Sequence, residues 1–373
     1  MWVKKILSLG SAAILFIGIV FISGCIGGEE KQEVEEENEK EIKELNVAVE
    51  TLYIDTVMSG VHNQCPDLNI SLIEYKVTNN EDEPVTLTFI SEIQNYTSQS
   101  KDIEIIEPHS TKTIKQNPLI KPLVELEITT TASLYFKISS DDKIIDENTI
   151  PIKLYAKDEM IWGSWGVEVG GGEEWIDSSW FIGAWVTPHT PEIDELIESS
   201  ARYHPDNAVT GYRCSHCQTD ADWIDYTGLQ VKAIYDALQN RYQITYINVP
   251  LAYGSKDENP QRVKLPKDTI KMASSNSIDG TVLFASALES VGINPNIILT
   301  PGHAFLCWDI NEEGESVDCL ETRMVGSSSY EKANEAGMDA YDEEIAAGNF
   351  YKGESRIISI KELREDLGVK PMG

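Results

Sequence analysis

Residues 276–310 read NSIDGTVLFASALES followed by VGINPNIILTPGHAFLCWDI. From Ser277 to Val291 the apolar residues recur at intervals of three and four, which predicts a helix with one apolar face. Gly292 then stands where a helix is expected to stop. The pattern places Ser277 at or just before the start of this helix.

A side chain at the start of a helix lies in the positive end of the helix dipole and beside free backbone N–H groups. That position suits a nucleophile and the oxyanion that forms when a carbonyl is attacked. The alternative is structural, because Ser is also a common N-cap residue that bonds its own helix. Local sequence leaves both interpretations of Ser277 open.

Two β-strands are predicted after the helix and a third after a turn. Apolar runs at 296–300 and 303–310 are separated by Pro301 and Gly302, and the turn-rich run 311–315 precedes a returning strand at 316–321. These residues therefore predict an antiparallel hairpin that directly follows the helix.

The register of the hairpin follows from its centre. If the turn is centred near Glu313, residues whose numbers sum to 626 face each other, so Cys307 lies opposite Cys319. His303 is then diagonal to Glu321 on the same face of the sheet. A slip of one residue would break this arrangement, because successive side chains alternate between the two faces.

A histidine beside a carboxylate has the arrangement that a general base requires, since the carboxylate fixes the tautomer and stabilises the imidazolium. Taken alone, His303 is better explained as a satisfied histidine of the core. Together, Ser277 at a helix start, His303 on a strand and Glu321 on the next strand form a candidate catalytic set.

These segments resemble the transglutaminase-like superfamily, in which a papain-like core carries a nucleophilic Cys at a helix start, a His on a following strand and an Asp on the next. The resemblance covers most of residues 180–330. It is carried by Ala184–Pro188, Gln230–Tyr235, Gln261–Pro266, Asn276–Glu289, Pro301–Phe305 and Leu320–Thr322. It implies an α+β domain, approximately residues 180–365.

Two positions depart from the pattern that the resemblance implies. Ser277 stands where the nucleophilic Cys is expected, and Glu321 replaces the usual Asp. A thiol near a histidine can be largely thiolate at neutral pH, whereas a hydroxyl must lose its proton during attack. The resemblance therefore implies either a degenerate domain that binds a peptide or cell-envelope peptide-glycan ligand without turnover, or an active Ser-His-Glu hydrolase or acyltransferase.

The sequence pattern of residues 46–157 predicts β-structure. Short alternating segments at 71–77 and 85–90 flank a turn-rich run, and similar segments recur at 123–129, 132–138 and 149–155. Several short strands without a helical pattern predict an antiparallel sandwich of the immunoglobulin-like kind. We expect a multidomain chain in which this sandwich precedes the transglutaminase-like domain, with a Gly- and Trp-rich junction at 158–179.

The first 24 residues have the features of a signal peptide. Lys4 and Lys5 precede an apolar stretch, and the run Ile22-Ser23-Gly24-Cys25 resembles the lipobox of bacterial and archaeal lipoproteins. The resemblance implies a lipid attached to Cys25 at the outer face of the cell membrane. The alternative is an uncleaved transmembrane helix. Residues 25–45, rich in Glu and Lys, are expected to form a solvated tether.

The overall charge of the chain argues against nucleic acid as a partner. A formal charge of -32 and a pI near 4.4 oppose binding to nucleic acid, which would be repelled by this surface. The expected partners are therefore membrane lipid through Cys25 and a peptide or cell-envelope ligand. We expect no cofactor.

Five further cysteines are Cys65, Cys214, Cys217, Cys307 and Cys319, an odd number, so at least one thiol should be unpaired within the chain. The run Cys214-Ser215-His216-Cys217 has the spacing of a zinc half-site or a redox dithiol. Because no second pair of this kind follows, a local disulfide or free thiols are favoured there and we expect no metal. A Cys307–Cys319 disulfide stays an open alternative.

Overall fold

The computed structural model describes residues 45–141, 143–167, 173–256 and 259–372. The predicted signal peptide, the predicted lipid-bearing Cys25 and nearly all of the predicted tether lie outside these described residues. Within the described ranges, no helix has the length and apolar character needed to cross a bilayer.

The first part of the described chain consists of β-strands in two sheets. A five-stranded sheet has the order β2-β8-β7-β4-β5 and a three-stranded sheet has the order β1-β3-β6. The strands are β1 (Val47–Tyr53), β2 (Thr56–Met58), β3 (Ile73–Asn79), β4 (Val85–Ile93), β5 (Ser100–Ile106), β6 (Thr111–Gln116), β7 (Thr130–Ser140) and β8 (Lys143–Tyr155). All pairings are antiparallel except the parallel pairing of β2 with β8.

The two sheets bury one common set of side chains. Alternate residues of β4 point inward, so that Val85, Leu87 and Phe89 are buried. Tyr75 of β3 lies with its ring centroid 5.2 Å from that of Phe89 and 5.9 Å from that of Phe136. Residues of both sheets thus share a core, and the immunoglobulin-like assignment stays a prediction.

One strand prediction in this region is wrong. Residues 123–129 belong to no strand, and Leu123 and Ile128 are 97% and 77% exposed. A turn precedes the segment, with the N–H of Val124 bonded to the carbonyl of Lys121. The alternation correctly indicates one buried side chain, Leu126, but alternation alone does not supply a neighbouring strand to pair with.

The second part of the chain mixes helices with short strands. The helices are α1 (Pro191–Ser200), α2 (Asp220–Asn240), α3 (Pro266–Met272), α4 (Ser277–Ser290), α5 (Tyr330–Ala347), α6 (Asn349–Lys352) and α7 (Ile360–Glu365). The strands are β9 (Glu159–Met160), β10 (Gly163–Val167), β11 (Glu173–Asp177), β12 (Thr245–Tyr246), β13 (Gln261–Arg262), β14 (Ser274–Ser275), β15 (Pro295–Thr300), β16 (His303–Asp309), β17 (Val317–Leu320) and β18 (Arg356–Ser359).

The helix and the hairpin of the candidate site lie at the centre of this part. Strands β15 to β18 form an antiparallel sheet in the order β17-β16-β15-β18, and α4 packs against β15 and β16. Every residue of α4 from Ser277 to Leu288 is buried. The helix is therefore buried all round, beyond the single apolar face that its sequence predicts, as expected of a helix inside a core.

A segment of the first part packs into the core of the second. Val61, Cys65 and Leu68 belong to the buried cluster formed mainly by residues after 160. Near the end of the chain, Lys370 forms an ion pair with Asp67, with 2.5 Å between Nζ and Oδ2. The predicted domain boundary at 157 separates the sequences of two cores. Residues 61–68 precede this boundary but pack their side chains in the core of the second part.

Candidate functional site

Ser277 is the first residue of helix α4 and is not its cap. Asn276 is the N-cap: its side-chain oxygen accepts from the N–H of Asp279, and the Asp279 carboxylate accepts from the N–H of Asn276. This capping box supplies acceptors for the backbone N–H groups of Asn276 and Asp279, so no serine is needed as the N-cap. The structural alternative for Ser277 is therefore wrong, and its hydroxyl is not used to cap the helix.

The capping carboxylate is itself held by a neighbouring segment. Asp279 Oδ1 accepts from the backbone N–H of Lys264 at 2.9 Å, and Lys264 Nζ lies 3.4 Å from Asp279 Oδ2. Burial raises the pKa of Asp279, while these bonds and the ammonium oppose that rise. The residues that fix the helix start are thus buried and multiply bonded, so Ser277 sits on a rigid element.

The hairpin has the predicted register. Cys307 pairs with Cys319 and Trp308 with Asp318, so paired residue numbers sum to 626. The two cysteines form a disulfide between β16 and β17. The register prediction is confirmed, and the disulfide that the sequence left open is present.

His303 and Glu321 are in direct contact at the end of this hairpin. His303 Nε2 lies 2.7 Å from Glu321 Oε2, and the Glu321 carboxylate also accepts from the N–H of Arg323 at 3.2 Å. Arg323 Nε lies 3.4 Å from the same Oε2 atom. Because Nε2 is engaged, Nδ1 is the ring nitrogen that remains to exchange a proton, and it makes no hydrogen bond to any described residue.

The helix start lies beside this pair. The carbonyl of Ser277 accepts from Thr281 Oγ1 at 2.7 Å and from Thr322 Oγ1 at 3.4 Å. Thr322 directly follows Glu321 in the chain, so this hydrogen bond connects the start of helix α4 to the residue next to Glu321. In the described part of the chain, however, no hydrogen bond links the hydroxyl of Ser277 to the ring of His303.

The three side chains differ in access to solvent. Ser277 is 2% exposed and Glu321 is 1% exposed, whereas the side chain of His303 is 23% exposed. A ligand approaching this surface therefore meets His303 before the other two residues.

Tyr246 is a residue near the site that the sequence patterns do not reveal. In β12 it pairs in parallel with Ser275, two residues before Ser277. Burial raises the pKa of Tyr246, with Arg323 lowering it and Glu321 raising it, so its phenol lies within reach of both charges. No signal marks it, because β12 is two residues long and lies about thirty residues earlier in the chain.

Cys214 and Cys217 form a disulfide, and Cys65 is a free, buried thiol. The prediction of at least one unpaired cysteine is therefore confirmed. Cys214, His216 and Cys217 have their ligand atoms within 4.8 Å of one another. In the disulfide the sulfurs are not thiolates, so this form of the segment lacks the ligands that zinc requires.

Comparisons with known proteins add little to this geometry. No family model matches the chain, and no curated protein matches it. Among solved structures it has a weak similarity to one described as "The structure of a beta-glucuronidase from glycoside hydrolase family 2", with 12% identity and a TM-score of 0.19. The match covers 56% of this chain and 23% of that one. A similarity of this size supports no conclusion about fold or function.

Proposed function

We propose that the second part of the chain is a transglutaminase-like domain that binds a peptide or peptide-glycan ligand beside His303 without turning it over. We also propose that a lipid on Cys25 holds the protein at the extracytoplasmic face of the cell membrane. The second proposal rests on the sequence of residues 1–25.

One observation supports binding without turnover. Ser277 is 2% exposed and its hydroxyl makes no hydrogen bond to His303 within the residues that the structure describes, while the side chain of His303 is 23% exposed. An alcohol must give up its proton to a base within hydrogen-bond reach during attack. In this arrangement His303 is accessible to a ligand, and Ser277 has no hydrogen-bonded base to take its proton.

The alternative is an active Ser277-His303-Glu321 hydrolase or acyltransferase on amide or ester bonds. It is favoured by the 2.7 Å contact between His303 Nε2 and Glu321 Oε2, which holds the ring in one orientation. Apo enzymes often form their catalytic hydrogen bonds fully only when substrate is bound. A movement of His303 toward the helix start would complete the site.

Two reagents separate the proposals. The purified protein is incubated with a serine-reactive fluorophosphonate and, separately, with p-nitrophenyl acetate, beside Ser277→Ala and the matched control Ser290→Ala at the other end of the same helix. We expect no stoichiometric labelling and no esterase activity above that of Ser277→Ala. Labelling of one serine that is lost in Ser277→Ala and His303→Ala, but kept in Ser290→Ala, would establish the hydrolase instead.

Binding is measured with a dye-labelled tripeptide, Ala-Ala-Phe with a free carboxyl terminus. We expect Ser277→Ala to bind it as the unmodified protein does, because Ser277 is only 2% exposed and offers the ligand little surface. His303→Ala should bind more weakly, since the exposed ring is lost. Equal affinity of His303→Ala and the unmodified protein would show that the ligand does not lie against His303.

A further inference from the structure

A cleft of about 290 Å³ lies at the corner that leads into His303. Pro301 lines the cleft, and His303 begins the strand two residues later. The loop 251–254, which also lines the cleft, is hydrogen-bonded to this corner. The N–H of Gly302 donates to the carbonyl of Tyr253 at 3.1 Å, and the N–H of Leu251 donates to the carbonyl of Gly302 at 3.2 Å. The cleft and the candidate site therefore share one backbone support.

Aromatic side chains form part of the lining. Trp162 and Tyr253 are buried and meet edge to face, with ring centroids 5.9 Å apart. Trp175 is partly exposed, and its ring lies so close to Gly163 that a Cβ there would be 2.5 Å from two ring carbons. The glycine thus leaves room for the Trp175 ring against the backbone, and Trp175 forms part of the cleft wall.

The lining carries an excess of positive charge. Its cations are Lys256, Lys352 and Arg356 and its anions are Asp177 and Glu354. The whole chain has the opposite balance, with 62 acidic residues against 30 Lys and Arg. A local surplus of cations in so acidic a protein favours an anionic ligand at this place.

Arg356 presents its guanidinium at the cleft. Its Nε is buried and lies 3.0 Å from Asp177 Oδ2 in an ion pair. The Arg356 side chain is 41% exposed. The exposed part of the guanidinium can donate charge-assisted hydrogen bonds to a bound carboxylate.

The hydroxyl of Tyr253 is a further donor near this guanidinium. Burial raises the pKa of Tyr253 to about 12, with the charge of Asp177 raising it and Arg356 lowering it. The phenol is therefore protonated at neutral pH.

We propose that this cleft binds the terminal carboxylate and last side chain of a peptide whose preceding residues lie toward His303. Arg356 and Lys256 bind the carboxylate, and Trp175 packs against the side chain. The volume is at the lower limit of ordinary ligand pockets, about 300 Å³, which fits one terminal residue and not an extended segment. The proposal deepens the proposed function, since it names the end of the ligand that the same region holds.

The test compares the dye-labelled Ala-Ala-Phe acid with the same peptide as its C-terminal amide, both titrated into the full-length protein. We expect the acid to bind at least about tenfold more tightly, the effect of losing one strong charge-assisted contact. Arg356→Gln and Lys256→Gln should each weaken binding of the acid and reduce its advantage over the amide. Arg262→Gln is the matched control, because Arg262 pairs with Asp158 outside the cleft, with 3.5 Å between Nε and Oδ2.

Three results would overturn the proposal. They are equal affinity for acid and amide, no measurable binding of either peptide, and an acid preference that survives both Arg356→Gln and Lys256→Gln. Galacturonate competing as strongly as the acid peptide would show that any carboxylate suffices and that no peptide end is recognised.

The two proposals fail differently. If the cleft binds the carboxylate but the ligand does not reach His303, the acid preference persists while His303→Ala has no effect. If the ligand lies at His303 but the cleft is not used, His303→Ala weakens both peptides equally and Arg356→Gln changes nothing.

Discussion

Replacing the helix-start serine by cysteine, Ser277→Cys, tests whether Ser277, His303 and Glu321 form one site. A free cysteine has a pKa of about 8.5. A thiolate at the first residue of the 14-residue helix α4 is stabilised by about 1 kcal/mol through the helix dipole, and a charge-assisted bond from an imidazolium adds about 1.5–3 kcal/mol.

Burial acts in the opposite direction. Ser277 is 2% exposed, and desolvation disfavours the thiolate. Cys65 shows the size of this effect in the same protein, because burial raises the pKa of its thiol to about 12. With one pKa unit equal to about 1.36 kcal/mol, the two favourable contributions lower the pKa by about 2–3 units, so a thiol as buried as Cys65 would have its pKa brought down to about 9–10.

The assay is the rate of alkylation by iodoacetamide as a function of pH. The Cys25→Ser background is used, which removes one cysteine, and four others are paired in disulfides while Cys65 is buried. The rate should rise with a midpoint at about pH 9–10, well below the pKa of about 12 that burial gives the thiol of Cys65. The parent protein should take up no label at neutral pH.

His303→Ala in the same background should move the midpoint upward by about one unit or more, since the imidazolium no longer stabilises the thiolate. The reasoning is refuted if the midpoint lies close to the pKa of about 12 that burial gives Cys65, and His303→Ala leaves it unchanged. In that case the three residues share a neighbourhood but do not act together.

Three further outcomes are expected. In α5, Gly337→Ala should lower the free energy of unfolding by about 2 kcal/mol or more in urea, because its Cβ would lie 2.5 Å from the backbone nitrogen of Leu320, whereas Gly228→Ala in α2 should be neutral or stabilising by up to about 1 kcal/mol. Cys25→Ser should move the protein from the detergent phase to the aqueous phase on phase separation. Limited proteolysis should cut within 163–174, giving two stable fragments on a denaturing gel.

Each of these outcomes has a clear contrary result. Equal stability of Gly337→Ala and Gly228→Ala would show that α5 can move away from β17. A Cys25→Ser protein that stays in the detergent phase would indicate a transmembrane helix at residues 6–22. The absence of stable fragments ending near 163–174 would argue against two domains, and the gel must be denaturing because Val61, Cys65 and Leu68 pack in the core of the second part.

Local patterns sufficed for the helix and hairpin of the candidate site. The periodicity from Ser277 to Val291 locates α4, and the parity of a two-residue repeat places His303 and Glu321 on one face. Both depend on short-range geometry that residue spacing determines directly. The cap was not distinguished, because Asn276 and Ser277 are both good cap residues and the capping box with Asp279 decides between them.

The cleft was not predictable in the same way. Trp175, Tyr253 and Arg356 come from a short strand, a loop and a strand near the end of the chain. Their proximity depends on how β18 pairs with β15 and how residues 251–254 bond to Gly302. Neither contact leaves a periodic signal, so the sequence shows these residues only as isolated aromatic and charged positions.

The contact between His303 and Glu321 does not by itself indicate catalysis. Glu321 is 1% exposed, and removing the partner of a buried charge costs about 3–5 kcal/mol. Stability alone is therefore a sufficient reason for the pair, and Arg323 at 3.4 Å from the same carboxylate adds to that stability. The chemistry of this site thus depends on whether any base removes the proton of Ser277. A loss of activity in His303→Ala is informative only when the free energy of unfolding is measured on the same variant.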